Sequence, residues 1–182
     1  VGTATLALDT NGTGYALVLP GFGRLGCEAR VTVADGGSER VQWTGLRRSG
    51  DAVRLTGRTR SGRWELSFHA VRNARGVAGV RIEMHGRKAK GAVVQELAPL
   101  ALARLPADHL LVQGRSAGGC QLLPLPVKKE TPVQSYLQQA ITRRGVTLQL
   151  GWPLRQANPS RMSATLRGAA LCDVAFATPL AN

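Results

Sequence analysis

Aromatic residues are scarce in this 182-residue chain, at 4 % of the total, and several familiar sequence signatures are missing. The hydrophobic share of 43 % still suffices for a core, which must consist mainly of Val, Leu, Ile and Ala. No apolar run reaches the length of a transmembrane helix. The chain also lacks helical heptads, a Walker-type glycine loop and a dinucleotide-binding glycine pattern ahead of a helix. These absences argue against a membrane span and predict no nucleotide cofactor.

Cysteine is sparse as well. Cys27, Cys120 and Cys172 lie far apart without a C-x-x-C pair, which excludes a zinc ribbon and a disulfide-dense scaffold. Three cysteines allow at most one disulfide with one free thiol, and three buried thiols fit the sequence equally well. Neither alternative assigns a cellular compartment.

The formal net charge is +13, which raises the question of a nucleic-acid partner. The basic residues are mostly Arg and are scattered singly or in pairs, and no stacking aromatics accompany them as single-strand binding requires. In the densest stretch, Arg54, Thr56, Arg58 and Arg60 fall on one parity of a strand, which predicts one solvated face. The segment 86–90 is predicted as a basic turn. The sequence therefore does not favour nucleic-acid binding.

Most of the chain alternates between short β-strand patterns and turns rich in Gly, Asp, Asn or Ser. The spacing of about ten residues is typical of an antiparallel β-sandwich in a single domain. The clearest predicted strands are 3–9, 15–19, 24–33, 39–46, 53–59, 64–71, 77–85, 109–113, 162–167 and 171–177.

Three segments are harder to assign. Residues 92–102 fit a short helix or an extended segment, and Pro99 in their middle favours the extended form. Residues 124–132 are predicted as a loop between two prolines. Residues 134–142 are the best helical candidate, although a hairpin between 136–141 and 146–150 fits equally well.

The segment Gly114–Gly118 matches the G-x-S-x-G nucleophile elbow in letters only. The elbow needs a helix after its serine, whereas a second glycine pair and two prolines follow here. A hydrolase of that fold also needs a histidine after Ser116, and all three histidines precede it. A tight glycine-rich loop is the expected structure, and no catalytic residue is assigned.

Other polar residues have simpler roles than catalysis. The three histidines could form a metal site only by converging from different strands, so ordinary surface or packed histidines are expected and no metal is assigned. Glu65, Glu83 and Glu96 fall in strands and are predicted to pair with neighbouring Arg. Among the tryptophans, Trp43 and Trp64 suit the core, and Trp152 at a strand end is the best candidate for exposure. Tyr15 and Tyr136 are further candidates for exposed aromatics.

Two passages carry a resemblance to a known family. The run FHAVRNARGVAGVRIEMHGRKAKGAVVQELAPLAL, followed by HLLVQGRSAGGCQ, resembles the N-terminal β-sandwich domain of family 36-type α-galactosidases and related melibiase-like glycoside hydrolases. Asn73, Leu97, Pro99 and Leu100 match that family's strand passage, and its "G-x-x-S-W" loop is matched loosely at Gly114 and Ser116. The later segment VTLQLGWPL resembles another family strand.

The resemblance implies a supersandwich of the galactose-mutarotase-like type, excised from a longer chain in which a catalytic (β/α)8 barrel follows Asn182. It implies that residues 1–182 are non-catalytic and support the barrel, oligomerisation or substrate access. Arg115 stands where the family has aromatic residues and is a candidate for hydrogen bonding to a substrate hydroxyl or to a carboxylate. The candidate carbohydrate or interface residues are Gly114, Arg115, Ser116 and Trp152.

Two other functions remain open at this point. A free-standing carbohydrate-binding module would need exposed aromatic residues, and an oligosaccharide would be its partner. A binder of acidic polymers would use the positive charge and lose affinity steeply with salt.

Overall fold

The computed structural model describes residues 5–8, 14–72, 76, 78–113, 119–136, 138–151 and 160–180. These residues form sixteen β-strands and no helix, so the predicted all-β class is confirmed. The strands are β1 (Thr5–Leu8), β2 (Tyr15–Leu19), β3 (Gly23–Val33), β4 (Ser38–Arg40), β5 (Gln42–Ser49), β6 (Ala52–Thr59), β7 (Gly62–Arg72), β8 (Ala78–Lys88), β9 (Val94–Pro106), β10 (His109–Gln113), β11 (Cys120–Pro124), β12 (Val127–Tyr136), β13 (Gln138–Arg143), β14 (Val146–Gly151), β15 (Arg161–Gly168) and β16 (Ala170–Pro179).

The strands form three antiparallel sheets. The large sheet has the order β1-β2-β3-β9-β16-β15-β12, with β4 paired to β3. The first small sheet has the order β5-β6-β7-β8, and the second small sheet has the order β11-β10-β13-β14. One hydrophobic core contains side chains from all three sheets, which gives a β-sandwich whose second layer is divided in two.

Strand β9 forms the centre of the large sheet, even though it contains Pro99. A proline lacks the N–H that a central strand needs for its ladder. The pairing of β9 shifts register beside Pro99 on both sides, between Glu28 and Arg30 of β3 and between Phe176 and Thr178 of β16. The extended alternative for this segment is confirmed, and the bulges explain how its proline is accommodated.

The other two harder segments are also extended. Residues 134–142 contain no helix in their described part, and β13 pairs with β14 across Arg144 and Gly145, so the hairpin alternative is confirmed. The loop predicted for 124–132 is wrong, because β12 begins at Val127 and contains Pro132. Strand β12 ends the path of the large sheet and pairs with β15 alone, so the missing N–H of Pro132 is tolerated at a sheet edge.

Candidate functional site

The outer face of the second small sheet carries no Asp, Glu, Lys or Arg among the described residues. On each strand of this sheet, alternate residues point away from the core, as the burial pattern of β10 shows. Leu111 of β10 lies directly opposite Leu122 of β11 and Ala140 of β13, and Leu122 is 62 % exposed. We call this surface the uncharged face; its residues are His109, Leu111, Gln113, Cys120, Leu122, Pro124, Ala140, Thr142, Thr147, Gln149 and Gly151.

The sequence candidates at 114–116 connect two strands of this face. Strand β10 ends at Gln113, which is paired with Cys120 at the start of β11. Gly114, Arg115 and Ser116 themselves lie outside the described residues, as does Trp152, which follows β14 in the chain. A strand rather than a helix follows the G-x-S-x-G letters, in agreement with the sequence argument against a nucleophile elbow.

A cleft of about 340 Å³ separates the two small sheets. Strand β8, at the edge of the first small sheet, forms one side, and Gln139, Leu150 and Gly151 of the second small sheet form the other. The floor belongs to the large sheet, where β9 and β16 supply Leu97, Pro99, Leu100, Phe176 and Thr178. We call this space the inter-sheet cleft, and its volume lies within the range of small-molecule sites.

Gln139 places an unpartnered polar atom at the inter-sheet cleft. The residue is 2 % exposed, and its Oε1 has no hydrogen-bond partner among the described residues. A buried carbonyl oxygen without a partner costs about 1–3 kcal/mol. A bound group with an O–H or N–H would remove that cost by donating to Oε1.

The rim of the inter-sheet cleft on β8 is charged. The Glu83 carboxylate lies 3.1 Å from Arg81 Nε, 3.6 Å from His69 Nε2 and 3.9 Å from His85 Nε2. Arg81, Glu83 and His85 all line the cleft. The rim therefore offers an acceptor and several donors beside an apolar floor.

The predicted acid–arginine pairs are confirmed. Glu65 pairs with Arg54 at 3.8 Å, Glu83 with Arg81, and Glu96 with Arg161 at 2.9 Å. His69 and His85 lie on the first small sheet and His109 lies on the second. Within the described ranges, no three His, Cys, Asp or Glu side chains converge as a metal site.

The aromatic candidates fall mainly in the core. Trp64 is buried and Trp43 packs against the core, as predicted. Tyr15 is 1 % exposed, so its candidacy as an exposed aromatic is wrong. Tyr136 is half-buried on β12, and its hydroxyl donates to Gln134 Oε1 at 3.0 Å.

The three thiols are free, and only Cys27 is buried; Cys120 is exposed and Cys172 is half-buried. The described part of the chain holds no helix long and apolar enough to cross a bilayer.

Gln139 and the uncharged face were not found from the sequence. Gln139 falls in the segment that fits a helix or a hairpin, so its inward direction becomes certain only once β13 is paired. In the sequence, β12 separates the two hairpins that form the uncharged face. The order of strands along the chain does not show which strands become neighbours in a sheet. The one signal for the uncharged face in the sequence is the number of charged residues at alternate positions of the hairpins 109–124 and 138–151.

No protein-family model, curated protein or solved structure matches the chain.

Proposed function

We propose that this chain is a non-catalytic accessory β-sandwich of an α-galactosidase-like glycoside hydrolase, and that it packs against a catalytic (β/α)8 barrel through the uncharged face. The observation that carries the proposal is the lack of charge among the described residues of this face, in a chain with 24 basic and 11 acidic residues. The cores of protein interfaces are depleted in charged residues, and exposed leucines there lose contact with water when a partner docks.

A barrel domain is the occupant that the sequence resemblance supports. In the family, the loop of the "G-x-x-S-W" passage lies near the sugar site of the barrel. In this chain the matching segment connects β10 to β11, which are two strands of the uncharged face. The same surface would therefore hold the barrel.

The proposal predicts that the native gene product continues past Asn182 by a barrel of about 250 residues. In that full-length protein, the double substitution Leu111→Glu/Leu122→Glu should separate the two domains, because burying unpaired carboxylates costs several kcal/mol. We expect limited proteolysis to release the sandwich, together with a loss of glycosidase activity or of soluble protein.

Leu46→Glu is the matched control for this variant. Leu46 is 51 % exposed but belongs to β5 of the first small sheet, so its substitution should leave the domains together. A native product that ends near Asn182 would overturn the proposal. So would a double variant with intact activity and unchanged proteolysis, or a wild-type chain whose uncharged face pairs with a second copy.

A second candidate function is carbohydrate binding in the inter-sheet cleft, and Gln139 is the observation that favours it. A sugar ring has apolar C–H faces for the floor formed by Leu97, Pro99 and Phe176, and hydroxyl groups that can donate to Gln139 Oε1 and Glu83. The exposed aromatics that a surface platform would need are not required in a cleft with an apolar floor.

Calorimetric titration with methyl galactosides and a galactosyl disaccharide tests this candidate. Gln139→Leu should weaken binding about tenfold by removing one hydrogen bond, and it should stabilise the ligand-free protein because the buried oxygen is gone. Gln149→Leu on the uncharged face of the same sheet is the control. Equal affinity in both variants, or no binding by the wild type, would contradict a sugar site here.

A further inference from the structure

Three arginines lie side by side on the outer face of the first small sheet. Arg58 of β6 is directly opposite Arg63 of β7, which is directly opposite Arg87 of β8. All three side chains are exposed. We call this set the arginine row.

The arginine row lacks the acidic partners that two other arginines of this face have. On the adjoining part of the same face, Arg54 pairs with Glu65 and Arg81 pairs with Glu83. Across the described portion of the chain, no carboxylate forms an ion pair with Arg58, Arg63 or Arg87. Like charges directly opposite each other on neighbouring strands destabilise a sheet. The row therefore carries a repulsion that an anionic ligand would relieve.

Further positive charge surrounds the same end of the sheet. Arg60 lies in the turn between β6 and β7, and Lys88 ends β8. Lys90 lies in the turn that follows, which is held against the β6–β7 turn by the Ala89 N–H donating to Ser61 O at 2.8 Å. All three of these side chains are exposed.

One carboxylate, that of Glu39, lies at this end. It accepts hydrogen bonds from Ser61 N at 3.0 Å and Ser61 Oγ at 2.7 Å. Burial opposes its ionisation, but the bonds from Ser61 and Thr59 and the charge of Arg60 outweigh this and lower the pKa of Glu39. Its oxygens are directed to the turn rather than to the arginine row.

The backbone beneath the row is held firmly from the core side. In the next cross-strand row, Trp64 is flanked by Gly57 and Gly86, and Gly86 leaves room for its ring. The Trp64 indole N–H donates to Thr59 Oγ1 at 2.9 Å. The three arginine stems therefore project from a fixed support.

We propose that the arginine row binds an acidic polysaccharide, which lies across strands β6, β7 and β8. Neighbouring strands are about 4.8 Å apart, so the three stems span about 10 Å in a line. Guanidinium groups bind carboxylate and sulfate oxygens in pairs, which suits a linear chain with repeated acidic groups. This site is separate from the uncharged face and does not depend on a barrel domain.

Nucleic acid fits the same surface less well. No Trp, Tyr or Phe projects from the described part of this outer face, whereas single-stranded nucleic acid is held largely by stacking on aromatic rings. The row also lies on a broad sheet face, and duplex DNA is read by elements narrow enough to enter a groove.

The test compares binding of polygalacturonate and of a heparin-type sulfated glycan with binding of an uncharged dextran. The variant Arg58→Gln/Arg63→Gln/Arg87→Gln should bind the acidic glycans about 30-fold more weakly, because the loss of each of the three exposed contacts weakens binding about threefold. Its affinity should also depend less on salt. The wild type should not bind dextran.

The control variant Arg24→Gln/Arg48→Gln/Arg104→Gln removes the same charge from exposed arginines on β3, β5 and β9. We expect it to retain wild-type affinity within about threefold. Equal weakening in both variants would assign the effect to net charge and overturn the site. Single-stranded DNA that binds more tightly than the glycans, with the same dependence on the row, would overturn the choice of partner.

Discussion

Tyr15 connects three strands of the sandwich through one side chain. Its hydroxyl donates to Pro99 O at 2.8 Å, and its ring meets Phe68 edge-on with the centroids 5.0 Å apart. It belongs to β2, Pro99 to β9 and Phe68 to β7, so it joins the large sheet to the first small sheet. Burial, and secondarily the nearby Cys27, raise the pKa of Tyr15 well above its usual value. The phenol therefore stays neutral and keeps its proton for Pro99.

The three thiols should differ sharply in reactivity. Burial raises the pKa of Cys27 to about 12, so almost none of it is the reactive thiolate at pH 8. In residues 1–182 on their own, Cys120 is exposed and should react first with a thiol reagent, with Cys172 slower. Time-resolved alkylation followed by peptide mapping should show Cys27 modified only when the protein unfolds.

The variant Cys120→Ser provides the control, because it should remove the fast phase and leave the fold unchanged. Labelling of Cys27 at the rate of Cys120 in the native protein would contradict the burial of β3 at this position.

At the scale of single elements, the packing of strand β8 against Trp64 requires a glycine at position 86. A Cβ at Gly86 would collide with the Trp64 ring and with the carbonyl oxygen of Arg63. Gly86→Ala should therefore destabilise the fold by about 1–3 kcal/mol, as overpacked sites do. Chemical denaturation measured by tryptophan fluorescence gives this quantity.

Gly26→Ala is the comparison for that substitution. Gly26 lies in β3, where an added Cβ would meet no atom within 4 Å. Alanine there should be neutral or slightly stabilising, because glycine loses more backbone freedom on folding. Equal effects of the two substitutions would mean that Trp64 does not pack on Gly86.

A strand can be predicted from the sequence when the residues that determine it are close to one another in the chain. Strand β10 is predicted with its observed bounds, because its apolar alternation and its flanking breaks are local. Strand β12 is missed because Pro132 normally argues against a strand, and only its edge position makes the proline acceptable. The predicted basic turn at 86–90 is wrong for Gly86, Arg87 and Lys88, which continue β8. Because Arg87 is assigned to a turn in that prediction, the sequence does not predict the arginine row.

At the scale of the whole molecule, the sequence predicts the sandwich but not the division of its second layer. Alternation within a strand indicates which side chains face the core, and turn residues indicate hairpins such as β13–β14. Neither signal shows that β8 and β14 become edges of separate small sheets. The inter-sheet cleft arises from that non-local arrangement, so it could not be predicted from the sequence.

The divided layer has a mechanical consequence. Among the described strands, no backbone ladder joins β8 to β14, so the two small sheets are coupled only through side chains and through the large sheet beneath them. Side-chain contacts shear more easily than hydrogen-bonded strands. The two small sheets can therefore shift separately on the large sheet. A ligand bound in the inter-sheet cleft would stiffen the sandwich against shear, while leaving the strand pairing within each small sheet unchanged.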